Sequence, residues 1–286
     1  MIKARAQTTL QIEVTITGVG LHSGRAVTMK LCPTTADRGI VLQRTDSTKN
    51  LEIAALATNV SSTDLCTTIG KGDDSVATTE HLLATFVGLQ VDNVLVKIDG
   101  PEVPILDGSA APFVDIIEAA GIAKLPQPAK ILRVKKPLEV TMGDRSMRVD
   151  PADELSFDCI VEYPWRAVGR QELKITLTPQ TFREVCRART FCHQKEVDAM
   201  RKMGLALGGS LDNAIVVTDD GFLNEGGLRM HDEFVRHKIL DCIGDLALLG
   251  APLVGKITIR KAGHGLHALF IRTLIEKRDE HLEAIS

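Results

Sequence analysis

Period-two apolar patterning opens each half of this 286-residue chain, and a helix–strand–helix run closes each half. In the first half the alternating segments are Leu10 to Thr17, Ala26 to Leu31 and Gly39 to Gln43, rich in β-branched residues, which predicts strands. A helix is predicted from Thr79 to Gln90, with Leu82, Leu83, Phe86 and Val87 on one stripe. A strand over Asn93 to Ile98 and a helix near Ala111 to Ala120 follow. The second half opens with strands over Ile131 to Val140, Leu155 to Tyr163 and Glu172 to Leu177. It closes with a helix over Asp232 to Leu249, a strand over Val254 to Lys261 and a helix over Leu266 to Lys277. Between them lies an insert over about Thr190 to Asn224, with a helix near His193 to Met203 and a strand near Ala214 to Val217. The stretch Gly121 to Pro128, G-I-A-K-L-P-Q-P, reads as a semi-rigid linker. This order predicts an α+β fold of two similar halves, 1–125 and 126–286, each packing helices on a mostly antiparallel sheet.

Composition narrows the function. Lys+Arg number 34 against 37 Asp+Glu, so there is no basic excess for a phosphate backbone. Aromatic residues make up 3%, too few for the stacking platforms of single-strand binders, so no nucleic-acid partner is expected. The six cysteines, Cys32, Cys66, Cys159, Cys186, Cys192 and Cys242, form no C-x-x-C pair. Free thiols in a reducing compartment are therefore expected. No secretory leader pattern occupies Met1 to Thr17, and no apolar run has the length of a membrane span. These observations predict a cytoplasmic protein without stable membrane insertion.

Three segments hold residues suited to chemistry. Around His237, the residues His237, Asp241 and Asp245 fall at i, i+4 and i+8 on one helical edge, with Lys238 beside Asp245. Val235, Ile239, Ile243 and Leu246 lie opposite. H-x-x-x-D on a helix presents an imidazole and a carboxylate side by side, as two metal ligands require. Taken alone, a solvated helix face with an i, i+4 ion pair is the simpler reading. Thr78-Thr79-Glu80-His81 stands at a helix start, where Glu80 and His81 offer a general base next to a metal ligand. A capping segment with an incidental histidine is the simpler reading there. Gly263-His264-Gly265 reads equally as an exposed imidazole or as a tight turn. Gly18 to Gly24 departs from G-x-G-x-x-G and is followed by a strand pattern, so a hairpin turn is predicted. Arg187-Ala188-Arg189 reads as a solvated basic cluster.

Several ordered motifs resemble the zinc-dependent UDP-3-O-acyl-N-acetylglucosamine deacetylase family of lipid A biosynthesis. They are G-V-G-L-H-S-G (Gly18 to Gly24), T-T-E-H-L-L-A (Thr78 to Ala84), D-G-P-E-V-P-I-L-D-G-S-A-A-P-F (Asp99 to Phe113) and R-T-F (Arg189 to Phe191). A-L-G-G-S (Ala206 to Ser210), H-D-E-F-V-R-H-K-I-L-D-C-I-G-D (His231 to Asp245) and G-H (Gly263-His264) complete the set. The resemblance implies a β-α-α-β sandwich with the site at the junction of the halves. It implies Zn2+ held by His81, His237 and Asp241, with Glu80 as general base. Thr190 matches an oxyanion-holding residue, His264 a protonated histidine, Asp245 its orienting partner and Lys238 a lysine near the substrate. Substrate contacts are implied for Phe191, Gly209 and Ser210 in the acyl passage, with Leu205, Leu207 and Ile215. Leu65 and Cys66 match a segment beside the metal, Lys261 and His22 lie near the nucleotide, and Tyr163 is placed to stack on uracil. The implied partner is a UDP-sugar lipid precursor, bound by a monomer. After Gly263-His264 the family pattern A-L-N-N is replaced by Gly265-Leu266-His267-Ala268, which introduces His267 as a competing imidazole and predicts a more flexible turn. A related deacetylase of another acylated amino sugar, or a binding module with a charged His/Asp surface, are the alternative classes.

Overall fold

The computed structural model describes residues 5–285; residues 1–4 and 286, at the outer limits of the two expected halves, lie outside the described residues. The first sheet contains β1 (Val14–Val19), β2 (Ala26–Cys32), β3 (Ile40–Arg44), β4 (Glu52–Ala54) and β5 (Val94–Ile98), in the order β1-β2-β5-β3-β4. The second contains β6 (Leu138–Met142), β7 (Arg145–Asp150), β8 (Ser156–Glu162), β9 (Arg170–Thr176) and β10 (Lys256–Arg260), in the order β6-β7-β10-β8-β9. The two orders are the same pattern, and each sheet has one parallel pair, β3–β5 and β8–β10. Gly18 to Gly24 is the predicted hairpin turn, with Val19 paired to Ala26.

Four helices carry the site or its support: α1 (Glu80–Gly88), α2 (Ala111–Ala120), α3 (Glu233–Leu246) and α4 (His264–Glu276). Every residue of α3 except Arg236 and Lys238 is buried. Its apolar residues Ile239 and Ile243 join one continuous core with Met29 and Val96 of the first sheet, Phe86 of α1, Met147 and Ile257 of the second sheet, and Phe270 of α4. A helix enclosed on all sides must be apolar or must satisfy its polar groups internally. The edge bearing His237, Asp241 and Asp245 therefore belongs to the interior, and the solvated-face reading is set aside.

Three local expectations are corrected. The stretch read as a linker is a strand, Ile122–Pro128, paired antiparallel with Ala6–Leu10. The 125/126 division falls inside it. Its prolines are tolerated because the register shifts between Ala6 and Thr8, opposite Pro126, at a sheet edge. The run expected as one strand over Ile131 to Val140 is two, Ile131–Val134 and β6, separated by Lys135-Lys136-Pro137. Ile131–Val134 pairs with Leu282–Ile285, with Ile131 opposite Ile285. Elements not anticipated include β4, β7 and the helix Pro179–Val185, whose start is closed by a Thr178–Thr181 capping box. The insert is a β-α-β unit: Phe191–His193, a helix over Gln194–Lys202, and Ile215–Val217 parallel to the first strand.

Candidate active site

The site forms where α1 and α3 cross, the most extensive contact between any two helices of the fold. Gly244 makes this approach possible: a Cβ there would lie 2.0 Å from the carbonyl oxygen of Glu80. The crossing brings His81, His237 and Asp241 together, all buried, with one donor atom of each within 4.8 Å of the others. His81 Nε2 is 3.6 Å and His237 Nε2 is 3.4 Å from Asp241 Oδ1. The two rings meet edge to face at 5.0 Å. His237 Nδ1 lies 3.1 Å from the Ala188 carbonyl oxygen. A carbonyl only accepts, so Nδ1 carries the proton and Nε2 turns its lone pair into the cluster. Burial lowers the His237 pKa to about 3, which keeps the ring neutral. Burial alone would raise the Asp241 pKa, but the Lys238 ammonium beside it opposes this, and the carboxyl is held well below the usual carboxylate range. Two imidazole nitrogens and one carboxylate oxygen converging at this spacing are a donor set that fits a metal ion.

Glu80 begins α1 and is buried, which raises its pKa. Its Oε2 accepts from the Thr67 amide at 3.0 Å, and its Oε1 lies 3.8 Å from His264 Nε2. Thr79 does not cap this helix; its hydroxyl donates to the Thr67 carbonyl. His264 begins α4, and its Nδ1 donates to Asp245 Oδ2 at 2.8 Å. Burial opposes charge on this ring, but the Asp245 carboxylate outweighs it and raises the pKa to about 9. His267 is 1% exposed and its Nδ1 lies 2.7 Å from the same Oδ2, so it is seated on Asp245 rather than among His81, His237 and Asp241. Gly265 lies in the first turn of α4, so the flexible turn expected there is ordered helix. Lys238 Nζ donates to Asp241 Oδ2 at 3.0 Å and sits 5.4 Å from the Phe191 ring centroid.

A cavity of about 310 Å³ opens over these groups. Glu80, His81, His237, Lys238, Asp241 and His264 line it, with Leu65, Thr190 and Phe191. A profile of the UDP-3-O-acyl N-acetylglycosamine deacetylase family matches residues 7–276. The chain belongs to this family. A UDP-3-O-acyl-N-acetylglucosamine deacetylase of Nitratidesulfovibrio vulgaris is 45% identical over 98% of this chain and 91% of its own length. Proteins of the same name from Acidithiobacillus ferrooxidans and Thioalkalivibrio sulfidiphilus are 47% and 46% identical, each over 96% of this chain and 91% of their own length.

The remaining residues matched to the family fall into two groups. Asp245 stands behind the cavity wall, and Cys66 is buried next to Thr67, where burial pushes its thiol up to about 12. That value argues against a nucleophilic role. Lys261, His22, Gly209, Ser210 and Tyr163 do not line the cavity. Lys261 is engaged by Glu162 at 2.7 Å and Asp144 at 3.2 Å. His22 is tied by its backbone N–H to Glu102, whereas Gly209 and Ser210 lie in the insert turn that packs on Leu21. Tyr163 stacks on Trp165 at 4.6 Å. All six cysteines are free.

Arg189 and Glu102 were overlooked as structural anchors. Arg189 is not solvated; it is buried and bonds Glu233 through its amide N–H, Nε and Nη2, which fixes Thr190 and Phe191 against the start of α3. Glu102 is 1% exposed and accepts from the amides of His22 and Ser23 and from Thr78 Oγ1. That carboxylate ties the G-V-G-L-H-S-G turn to the segment preceding α1. Arg145 and Met142, at the turn between β6 and β7, also line the cavity. No sequence pattern singled them out, because the turn reaches the site only through sheet packing. No helix among the described residues is long and apolar enough to cross a membrane.

Proposed function

We propose that this chain is a zinc-dependent amidase that removes the N-acetyl group of a UDP-3-O-(3-hydroxyacyl)-N-acetylglucosamine in lipid A biosynthesis, acting as a cytoplasmic monomer. The observation that carries the reading is the placement of the Glu80 carboxylate and the His264 imidazole, 3.8 Å apart, beside one His-His-Asp cluster in a single cavity. Family membership supports the substrate class, since the relatives carry UDP-3-O-acyl-N-acetylglucosamine in their names.

His81, His237 and Asp241 would hold the metal. Zinc bound there supplies Lewis acidity that polarises an amide carbonyl and makes water a better nucleophile. Glu80 takes a proton from the attacking water at Oε1, the oxygen left free when the Thr67 amide engages Oε2. Water oxygen adds to the acetyl carbon, and the oxyanion that develops faces the Thr190 side of the cavity. The C–N bond then breaks, and His264 delivers a proton from Nε2 to the departing amine. Asp245 holds the opposite nitrogen, Nδ1, and so fixes which nitrogen faces substrate. Acetate and the free amine are the products. Lys238, neutralised in part by Asp241 and resting on Phe191, fits an anionic or carbonyl group of the substrate.

Metal content and turnover test the reading together. Purified protein should hold one zinc per chain and release acetate from the acylated UDP-sugar. A chelator should abolish turnover, and added zinc should restore it. A folded, metal-free protein, or one that turns over equally in chelator, would refute the assignment.

A further inference from the structure

Thr67 engages both the proposed base and the partner of the proposed acid. It lies in the loop between the short strands Val60–Ser62 and Thr68–Ile69 and is 1% exposed. Its amide N–H donates to Glu80 Oε2 at 3.0 Å. Its hydroxyl donates to Asp245 Oδ1 at 2.6 Å and lies 3.2 Å from His264 Nδ1. Its carbonyl accepts from the amide and the hydroxyl of Thr79, which tethers the loop to the start of α1. Glu80 and Asp245 come from different halves of the chain, so one residue sets the position of both.

The two oxygens of Asp245 are used unequally. Oδ2 receives His264 Nδ1 at 2.8 Å and His267 Nδ1 at 2.7 Å, whereas Thr67 supplies the donor at Oδ1. Without the hydroxyl, a buried carboxylate oxygen loses its donor and the group is free to rotate about its Cβ–Cγ bond. His264, bonded to the other oxygen, would follow. The Glu80 contact uses the backbone N–H, so a side-chain substitution at position 67 leaves it in place.

We propose that Thr67 is a positioning residue for the amide hydrolysis: its hydroxyl locks the Asp245 carboxylate that aims His264, while its backbone holds Glu80 opposite. This inference rests on the deacetylase reading above. The alternative is a buried hydroxyl that serves stability alone, and it predicts a lowered Tm with unchanged turnover.

The test compares Thr67→Val, which keeps shape and backbone but loses the hydroxyl, with Thr67→Ser, which keeps the hydroxyl and loses a methyl group. Both are measured as full-length, zinc-loaded enzyme on the acylated UDP-N-acetylglucosamine, with zinc content and Tm recorded. The valine variant should lose about 10- to 100-fold in kcat at unchanged KM and zinc content, the size of one hydrogen bond to a charged group. The serine variant should stay within about threefold of wild type in kcat. In metal-free protein, the downfield Nδ1 proton resonance of His264 (identified by its absence in His264→Ala) should broaden or vanish in the valine variant and persist in the serine variant. Wild-type kcat in Thr67→Val, an equal loss in Thr67→Ser, or a change confined to KM would overturn the inference. If the valine variant does not fold, Thr67→Ala takes its place in the same comparison: a loss of about 10- to 100-fold in kcat supports the hydroxyl's role, and wild-type kcat overturns it. A wild-type enzyme without deacetylase activity would overturn the parent reading and this inference with it. An active wild type with an unaffected valine variant overturns only the inference.

Discussion

Gly244→Ala places two general rules in opposition. In a helix interior, Gly to Ala ordinarily stabilises by about 1 kcal/mol, because glycine loses more backbone entropy on folding. At position 244 the added Cβ would sit 2.0 Å from the Glu80 carbonyl oxygen, 2.7 Å from its carbon and 2.9 Å from its Cα. The obstacle is backbone on a buried helix, so no side-chain rotation relieves it. The two helices would have to part by about 1 Å to restore an ordinary contact. Overpacking of this kind costs about 1–3 kcal/mol, and a rigid obstacle argues for the upper end, leaving a net loss of about 2 kcal/mol after the propensity gain. For a chain of this size that lowers Tm by about 4–8 °C. Metal-ligand distances tolerate only about 0.2 Å, and His81 is on one helix while His237 and Asp241 are on the other. Zinc affinity should therefore fall by more than about tenfold. Thermal unfolding of metal-free protein and competition against a coloured chelator measure the two effects separately. A Tm equal to or above wild type, with zinc affinity within about threefold, would refute the argument that the crossing is set by backbone contact.

Three further substitutions probe the site and its supports. Glu80→Gln should retain zinc and lose about 10²- to 10⁴-fold in kcat, whereas His237→Ala should lose zinc in equilibrium dialysis; normal turnover in Glu80→Gln would remove Glu80 as the base. Arg189→Met strands the Glu233 carboxylate in the interior and should cost about 3–5 kcal/mol in denaturant unfolding, so a cost below about 1 kcal/mol would mean that water reaches Glu233.

The parts of this molecule legible in the sequence are those governed by local rules. The hairpin around Gly18 to Gly24, the stripe on α1 and the i, i+4 pairing of His237 with Asp241 all follow from nearest neighbours along the chain. The supporting network is illegible for the opposite reason. Thr67 and Asp245 are 178 positions apart, His22 and Glu102 are 80 apart, and Arg189 and Glu233 are 44 apart. A threonine, glutamate or arginine in isolation looks like surface, and only the fold supplies the partner that makes burial affordable. The misread linker has a similar cause. Its prolines signal a break in any central strand, but at a sheet edge, opposite a register shift, no ladder hydrogen bond is required of them. Gly244 was invisible because a mid-helix glycine announces no partner, and its meaning lies in the Glu80 backbone that presses on it.

The segment that joins the two halves also bears the first and last strands among the described residues. Ala6 pairs with Pro128, and Ile285 pairs with Ile131 only three positions further along. A mechanical load applied across the ends therefore acts on one short stretch rather than across the molecule. Each outer strand is held at the end nearest the load, so its hydrogen bonds break one pair at a time instead of in concert. The helix crossing that carries the site feels none of this force until the joining segment has been stripped of both outer strands. The molecule should thus yield at its margins under low tension while its centre stays assembled.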